Sequence, residues 1–177
     1  MTPEKIEKLK FLQNNRSFLG REFLTWLWFA LETRNHIVDV PGYDAFKLYV
    51  DDKLVLSSAS GAVREHALKG GTPATAAEAK AALRAGKLVT ECKFILRLGE
   101  KQWTWSMKAD DLTIRGLRLP AVTEQEAESY MRSRIANTET LNEVITHLYK
   151  TFLQTRLSKG FRRADSELTK WAMEGVH

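Results

Sequence analysis

The segment from Gly86 to Pro120 alternates apolar and polar residues with a period of two. Successive side chains of a β-strand point to opposite faces, so this pattern predicts a sheet with one buried and one solvated face. The buried face is predicted to hold Leu88, Thr90, Cys92, Phe94, Leu96, Trp103, Trp105 and Met107, followed by Leu112 and Ile114. Turns at Gly99-Glu100 and Asp110-Asp111 are short, and short turns join antiparallel neighbours. The segment is therefore expected to form a three-stranded antiparallel meander.

The solvated face of this meander is predicted to be basic. Lys93, Arg97 and Lys108 share it by strand geometry, and Arg115 joins them if the register of the third strand allows it. Residues 80–120 contain nine Lys and Arg against four Asp and Glu, and residues 150–163 contain five bases and no acid. The net charge of +5 is thus gathered in two patches. Such a distribution fits an anionic partner, but from charge alone a solvated sheet face without a ligand is the favoured interpretation.

Three helical signals precede the meander. Thr2-Pro3 is a helix start for a short amphipathic segment. The next helix, from Phe18 to Thr33, is apolar most of the way round, which predicts a core helix laid over the sheet. A capping box from Thr75 to Glu78 opens a third helix, which closes at Gly86.

Strands are also predicted between these helices. Phe46 to Leu56 is interpreted as a hairpin with a two-residue turn at Asp51-Asp52, and Val63 to Leu68 as a weaker strand. The chain is thus expected to have an α+β fold: an antiparallel sheet of hairpin plus three-stranded meander, flanked by helices, with a long C-terminal helical region. A single domain is expected over 1–177, with N-terminal helices in 1–34, the sheet in 44–119 with an inserted helix at 75–85, and helices in 123–175.

The C-terminal helical region is long for a chain of this size. A second capping box, Thr123 to Glu126, is predicted to open a helix that runs to about Leu157, and a third box, Thr140 to Glu143, predicts a break near 137–140. Because such a length exceeds what a small sheet covers, part of it is expected to pack against a second copy, which predicts a homodimer. A last helix is predicted from Ala164 to Met173.

Composition limits the class of protein. With 177 residues, of which 44% are hydrophobic and 28% charged, the chain is expected to be soluble and globular. Its longest apolar run, Phe23 to Leu31, is far shorter than a membrane span, and no signal peptide is recognised, so no membrane partner is expected. The single cysteine, Cys92, excludes an internal disulfide and fits a reducing compartment, which favours a cytoplasmic location.

Signals for catalysis are weak. The sequence has no Gly-rich phosphate loop, no nucleophile elbow and no histidines at metal-ligand spacing. Its acidic pairs, Asp51-Asp52 and Asp110-Asp111, stand where turns favour aspartate rather than in a cluster that would hold a divalent metal. A non-enzymatic protein without a cofactor is therefore predicted. Trp103 and Trp105 are candidates for stacking on bases, but their alternation toward the buried face favours core packing.

Five segments and their order along the chain point to a known family. They are Phe23 to Leu27, the Thr75 to Glu78 box, Arg84 to Thr90, Trp103 to Met107 and Leu112 to Leu119. On these residues the chain resembles the recombination-associated RdgC family of bacterial DNA-binding proteins over roughly residues 20–155. It is similar to the later part of the family fold and lacks an N-terminal part of comparable size.

The resemblance implies a nucleoid-associated protein that binds double-stranded DNA without sequence specificity and modulates homologous recombination. Family members dimerise into a ring around duplex and limit access of the RecA recombinase, so a homodimer and a recombinase are the implied protein partners. Lys and Arg neutralise phosphates without reading bases. The candidate DNA-binding residues are Lys87, Lys93, Arg97, Lys108, Arg115 and Arg118 on the sheet and Lys159, Arg162 and Arg163 at the C-terminal turn.

The alternative is a non-enzymatic protein–protein interaction module that docks through the aromatic helix around Trp26 to Phe29. Salt dependence separates the two hypotheses. Binding to phosphates falls steeply as salt is added, whereas an apolar interface hardly responds to it.

Overall fold

The computed structural model describes residues 16–58, 66–70 and 77–174. Within them the helices are α1 (Arg16–Thr33), α2 (Ala77–Arg84), α3 (Ala127–Leu157) and α4 (Phe161–Met173). The strands are β1 (Ile37–Val38), β2 (Phe46–Ser57), β3 (His66–Lys69), β4 (Leu88–Leu98), β5 (Lys101–Lys108) and β6 (Ile114–Arg118). The predicted α+β fold with a long C-terminal helical region is confirmed.

The strands form one antiparallel sheet in the order β1-β2-β4-β5-β6. The long strand β2 pairs with β4 along one edge, while β1 and β3 pair with opposite ends of its other edge. Strands β4, β5 and β6 are the predicted meander. Phe94 pairs with Trp105 and Leu96 with Trp103, so these side chains share the buried face, as the alternation predicts. The prediction for Thr90 is wrong, because a register shift at the start of β4 places Val89 in the core and leaves Thr90 half-buried.

The core lies between this face of the sheet and the helices. Helix α1 packs on β4, and ring contacts join α1 to the C-terminal helices, with Phe23 5.6 Å from Phe152 and Trp28 4.9 Å from Trp171 between centroids. Trp103 is fully buried, and its Nε1 donates a hydrogen bond to the Asn137 carbonyl of α3 at 2.8 Å. Among the described residues, the helices therefore lie on one face of the sheet.

Three apolar residues predicted for the core behave as expected. Trp103 and Trp105 are 0% and 2% exposed, which confirms packing rather than base stacking as their role. Cys92 is 1% exposed, and burial raises the pKa of its thiol well above the ordinary value. A protonated thiol in the core acts as a small apolar side chain.

The predicted turn at Asp51-Asp52 is wrong, because β2 continues through both residues from Phe46 to Ser57. The register passes from the Val50–Phe94 pair to the Leu54–Cys92 pair, so β2 accommodates two additional residues in an irregular stretch. The pairing partner of β2 along its other edge is instead β3, which corresponds to the weaker strand predicted over Val63 to Leu68. A bulge tolerates aspartate where a regular strand disfavours it, because local pairing is already interrupted.

Two helix boundaries predicted from capping boxes are also wrong. Helix α3 begins at Ala127, with Glu126 as its N-cap and no side-chain cap hydrogen bond, rather than at the Thr123 box. It continues without a break past Thr140, whose hydroxyl donates to the Ala136 carbonyl inside the helix. The helix predicted from Thr2-Pro3 and the box hydroxyl of Thr75 lie outside the described residues.

Replacing Thr25 by Val is expected to destabilise the fold by about 1–3 kcal/mol. Thr25 is 3% exposed, and its Oγ1 accepts a hydrogen bond from the Val89 amide of β4 at 3.0 Å. Valine keeps the shape of threonine but leaves this buried amide without its partner. Chemical denaturation measures the free energy of unfolding. Thr138→Val is the control, since that hydroxyl only donates back to the Arg134 carbonyl of its own helix; equal losses in the two variants would contradict the role given to Thr25.

Candidate nucleic-acid interface

The solvated face of β2, β4, β5 and β6 is rich in cations, and we call it the basic face. Residues paired across antiparallel strands point to the same side, so the register assigns side chains to faces. Lys93 pairs with Ser106, and Lys108 pairs with Glu91. The cations on this face are Lys47, Lys53, Lys93, Arg97, Lys108, Arg115 and Arg118. The prediction that Lys93, Arg97 and Lys108 share one face is confirmed.

Both arginines of β6 lie on the basic face because a bulge interrupts the strand. Ser106 pairs with Arg115 and Thr104 with Arg118, so three steps along β6 match two along β5. In a regular strand, residues three apart would point to opposite faces. Gly116, with a φ of 59°, accommodates the extra residue in a left-handed conformation that glycine adopts without strain. The register of the third strand therefore places Arg115 on the same face as Lys93, Arg97 and Lys108.

Lys93 is held by two aspartates of the irregular stretch in β2. Its Nζ lies 2.8 Å from Asp51 Oδ2 and 2.9 Å from Asp52 Oδ1. Hydrogen bonds to Asp51 and then to Asp52 raise the pKa of Lys93 above its ordinary value. The ammonium stays charged, but an anionic ligand has to compete with both carboxylates. Lys93 is therefore the weakest phosphate candidate on the basic face.

A second cation of this face is also matched by an acid, since Lys53 Nζ lies 2.7 Å from Glu91 Oε1. The remaining five form no ion pair with any residue that the structure describes: Lys47, Arg97, Lys108, Arg115 and Arg118. All but Lys108 are exposed, and Lys108 is half-buried. The four exposed cations therefore have no acid of the described residues at ion-pair distance and are accessible to a polyanion, while Lys108 has Glu91 as its cross-strand neighbour.

Arg97 is fixed by two neighbours at one end of the basic face. Its Nε donates a hydrogen bond to Gln102 Oε1 at 3.0 Å, and its guanidinium carbon lies 5.8 Å from the centroid of the Tyr49 ring. The Tyr49 ring also contacts His36, with centroids 4.8 Å apart and planes inclined by 31°. His36, Tyr49 and Arg97 thus form a ladder of planar groups, which we call the stacking ladder.

Four of the predicted DNA-binding residues lie away from the basic face. Lys87 is half-buried at the junction of α2 and β4, at the opposite end of β4 from Arg97. Lys159, Arg162 and Arg163 are exposed at the turn from α3 to α4, in the helical layer on the other side of the sheet. Arg163 also pairs with Glu167 at 3.0 Å. The two basic patches of the sequence therefore do not form one surface.

The aromatic helix is largely covered in the structure. Trp28 is fully buried, and Trp26 and Phe29 are half-buried. Trp26 contacts Phe152 of α3, and Phe29 contacts Trp171 of α4. The predicted role of this segment as a core helix is confirmed, and the apolar docking face of the alternative hypothesis is occupied mainly by helices of the same chain.

The basic face also contains Lys47, Tyr49 and Lys53, which were not among the candidates from the sequence. Lys47 pairs directly with Arg97, and Tyr49 is the aromatic residue of the stacking ladder. The sequence indicates that Lys47 and Tyr49 point away from the core, because they alternate with Phe46 and Leu48. Which cations they join is set by the pairing of β2 with β4, and that pairing is not encoded locally.

The N-terminal part of α3 has little cover. All buried residues of this helix lie from Asn137 onward, while Tyr130, Met131 and Ile135 before it are 38%, 57% and 54% exposed. Apolar residues that a helix leaves exposed are common at contacts between subunits. A homodimer through this region stays a prediction.

No helix among the described residues is long and apolar enough to cross a membrane. Within the same part of the chain, no group of three or more His, Cys, Asp or Glu residues lies close enough together to hold a metal ion. Comparisons with protein-family models, with curated proteins and with solved structures gave no match.

Proposed function

We propose that this protein binds double-stranded DNA through the basic face, without sequence specificity, and that it modulates homologous recombination. The observation that carries the proposal is the gathering, on one face of the sheet, of five cations that form no ion pair with any residue in the described part of the chain. The resemblance to the RdgC family supports the role in recombination.

Electrostatics determines what such a face does. Each Lys or Arg that meets a phosphate releases counterions, so affinity falls with salt in proportion to the number of contacts. If all five cations meet phosphates, the logarithm of the binding constant is expected to fall with a slope of about −4 to −5 against the logarithm of salt concentration. Lysine and arginine contacts to phosphate carry no sequence information, so affinity is expected to be similar for unrelated duplexes.

Fluorescence anisotropy with two blunt duplexes of unrelated sequence, each titrated over a series of salt concentrations, tests the proposal. The expected result is similar affinity for both duplexes and a steep loss of binding between about 50 and 200 mM salt. Absence of binding at low salt would refute it, and so would an affinity that salt does not change. The second outcome would favour an apolar protein interface.

Replacing Asp51 and Asp52 together by Asn is expected to strengthen duplex binding about fivefold to tenfold. The change releases the Lys93 ammonium from both carboxylates and removes two negative charges that repel phosphates. Anisotropy titration at one fixed salt concentration measures the gain.

The control for this prediction is the pair Asp165→Asn and Glu174→Gln, which changes the net charge equally at exposed positions of the helical layer. It is expected to change affinity less than about twofold, because exposed charges farther than a Debye length are screened. An equal gain in both double variants would show that overall charge, rather than the Lys93 contact, sets the affinity.

A further inference from the structure

We propose that the stacking ladder binds one unpaired nucleobase on the exposed side of the Arg97 guanidinium. This inference rests on the proposed binding of DNA by the basic face and adds a second element to it. The protein would then prefer DNA with unpaired bases, such as an overhang or a gap, over fully paired duplex.

The orientation of Arg97 is the first reason. The hydrogen bond to Gln102 restrains the guanidinium beside the Tyr49 ring, 5.8 Å from its centroid, while the side chain remains exposed. A planar guanidinium supported by an aromatic ring is a surface on which unpaired bases stack. Because these two contacts restrain the Arg97 side chain before binding, less side-chain entropy is lost when a base is added.

The support behind Arg97 is the second reason. The Tyr49 ring is itself packed against His36, whose backbone carbonyl accepts a hydrogen bond from Leu48 of β2 at 2.8 Å. Tyr49 and Arg97 thus lie on strands of the sheet, and His36 lies in the turn before β1 and is tied to β2 by this hydrogen bond. Sites built on strands hold planar groups with less variation than sites on loops.

The surrounding charge identifies the occupant as a nucleotide. Lys47 is the direct cross-strand partner of Arg97, and Arg118 shares a row of the sheet with Tyr49, Ile95 and Thr104. Lys47 lies one strand from Arg97, about 4.8 Å away, and Arg118 lies two strands away, about 10 Å. The long side chains of both can extend toward the phosphates that flank a stacked base. An uncharged aromatic peptide side chain would use the ladder but not these cations.

A paired base inside a duplex does not offer its face to a protein, because both faces are stacked on neighbouring pairs. The ladder therefore adds nothing to the binding of a blunt duplex, which depends on phosphate contacts alone. With an overhang, stacking of one base on the ladder is expected to raise affinity about tenfold.

The test compares three DNA molecules by fluorescence anisotropy at one salt concentration: a blunt duplex, the same duplex with a short thymidine overhang, and the duplex with an abasic overhang of equal charge. The wild-type protein is expected to bind the thymidine overhang about tenfold more tightly than either of the others. Equal affinity for the thymidine and abasic overhangs would overturn the stacking site, because only the base differs between them.

Arg97→Lys is the decisive variant, since it keeps the charge and removes the planar group. It is expected to bind the thymidine and abasic overhangs with equal affinity, because lysine offers no plane on which a base can stack. Tyr49→Leu, which removes the support of the guanidinium, is expected to behave in the same way, and thermal denaturation checks that both variants fold. Retained preference in Arg97→Lys would overturn the proposal. Loss of blunt-duplex binding in the wild-type protein would instead refute the proposed function.

Discussion

Changing Lys47, Lys108, Arg115 and Arg118 together to Gln is expected to weaken duplex binding at least about 100-fold at moderate salt. These four residues are the cations of the basic face that have no acidic partner among the described residues and do not belong to the stacking ladder. Each lost phosphate contact also removes one released counterion, so the salt slope is expected to become less steep by about 3 to 4. Anisotropy titrations over a salt series measure both quantities.

The control for this prediction is a second set of four substitutions to Gln, at Lys150, Lys159, Arg162 and Arg163. It removes the same formal charge from exposed positions of the helical layer, on the other side of the sheet. Binding is expected to weaken less than about threefold and the salt slope to stay unchanged, because these groups do not face the DNA. If the two sets weaken binding equally, net charge alone drives association and the assignment of the basic face is wrong.

Strand faces in this chain could be predicted from the sequence because side-chain direction has a period of two. Phe94 and Leu96 of β4 alternate with Lys93 and Arg97, and the structure places each on the predicted side. The pattern is also strong enough to separate Trp103, in the core, from a base-stacking role. These assignments need only the local order of residues, since they hold whatever the strand pairs with.

Bulges could not be predicted, because they depend on the partner strand. Asp51-Asp52 has the composition of a turn, yet it lies in the irregular stretch of β2, where both carboxylates bind Lys93 of β4. The bulge at Gly116 similarly places Arg115 and Arg118 on one face, although residues three apart in a regular strand point to opposite faces. In both places a long-range pairing overrides the local signal.

The composition of the candidate site also depends on long-range contacts. Charge counting found two basic patches, but the packing of α3 and α4 on the helical side separates Lys159 and Arg162 from the sheet cations. It also did not distinguish Lys93, which two acids hold, from Arg97, which has none. A count of charges along the chain does not show which acids the fold places beside each cation. The positions of these acids decide which cations are available to DNA.

Gly20→Ala is expected to destabilise the protein by about 3 kcal/mol, at the upper end of what overpacking usually costs. A Cβ at this position of α1 would lie 1.9 Å from the carbonyl oxygen of Ala109 and 2.8 Å from its carbonyl carbon. Both are backbone atoms, and Ala109 is fully buried with its amide bonded to the Thr90 carbonyl at 2.9 Å. The helix or the end of β5 has to move, which disturbs the packing of α1 on the sheet beneath the basic face.

Helix propensity alone predicts that Gly20→Ala stabilises the protein, since alanine is favoured over glycine within a helix by about 1 kcal/mol. Urea denaturation followed by tryptophan fluorescence therefore discriminates between close approach and propensity, and a stabilised Gly20→Ala variant would contradict the contact with Ala109. Gly160→Ala is the matched control, because its added Cβ would meet only Ser158 Oγ, at 3.4 Å. Gly160 is the N-cap of α4, where alanine is less favoured than glycine, so the substitution is expected to cost at most about 1 kcal/mol. A larger loss in the free energy of unfolding for Gly20→Ala than for Gly160→Ala would show that the fold requires the close approach of α1 to the sheet.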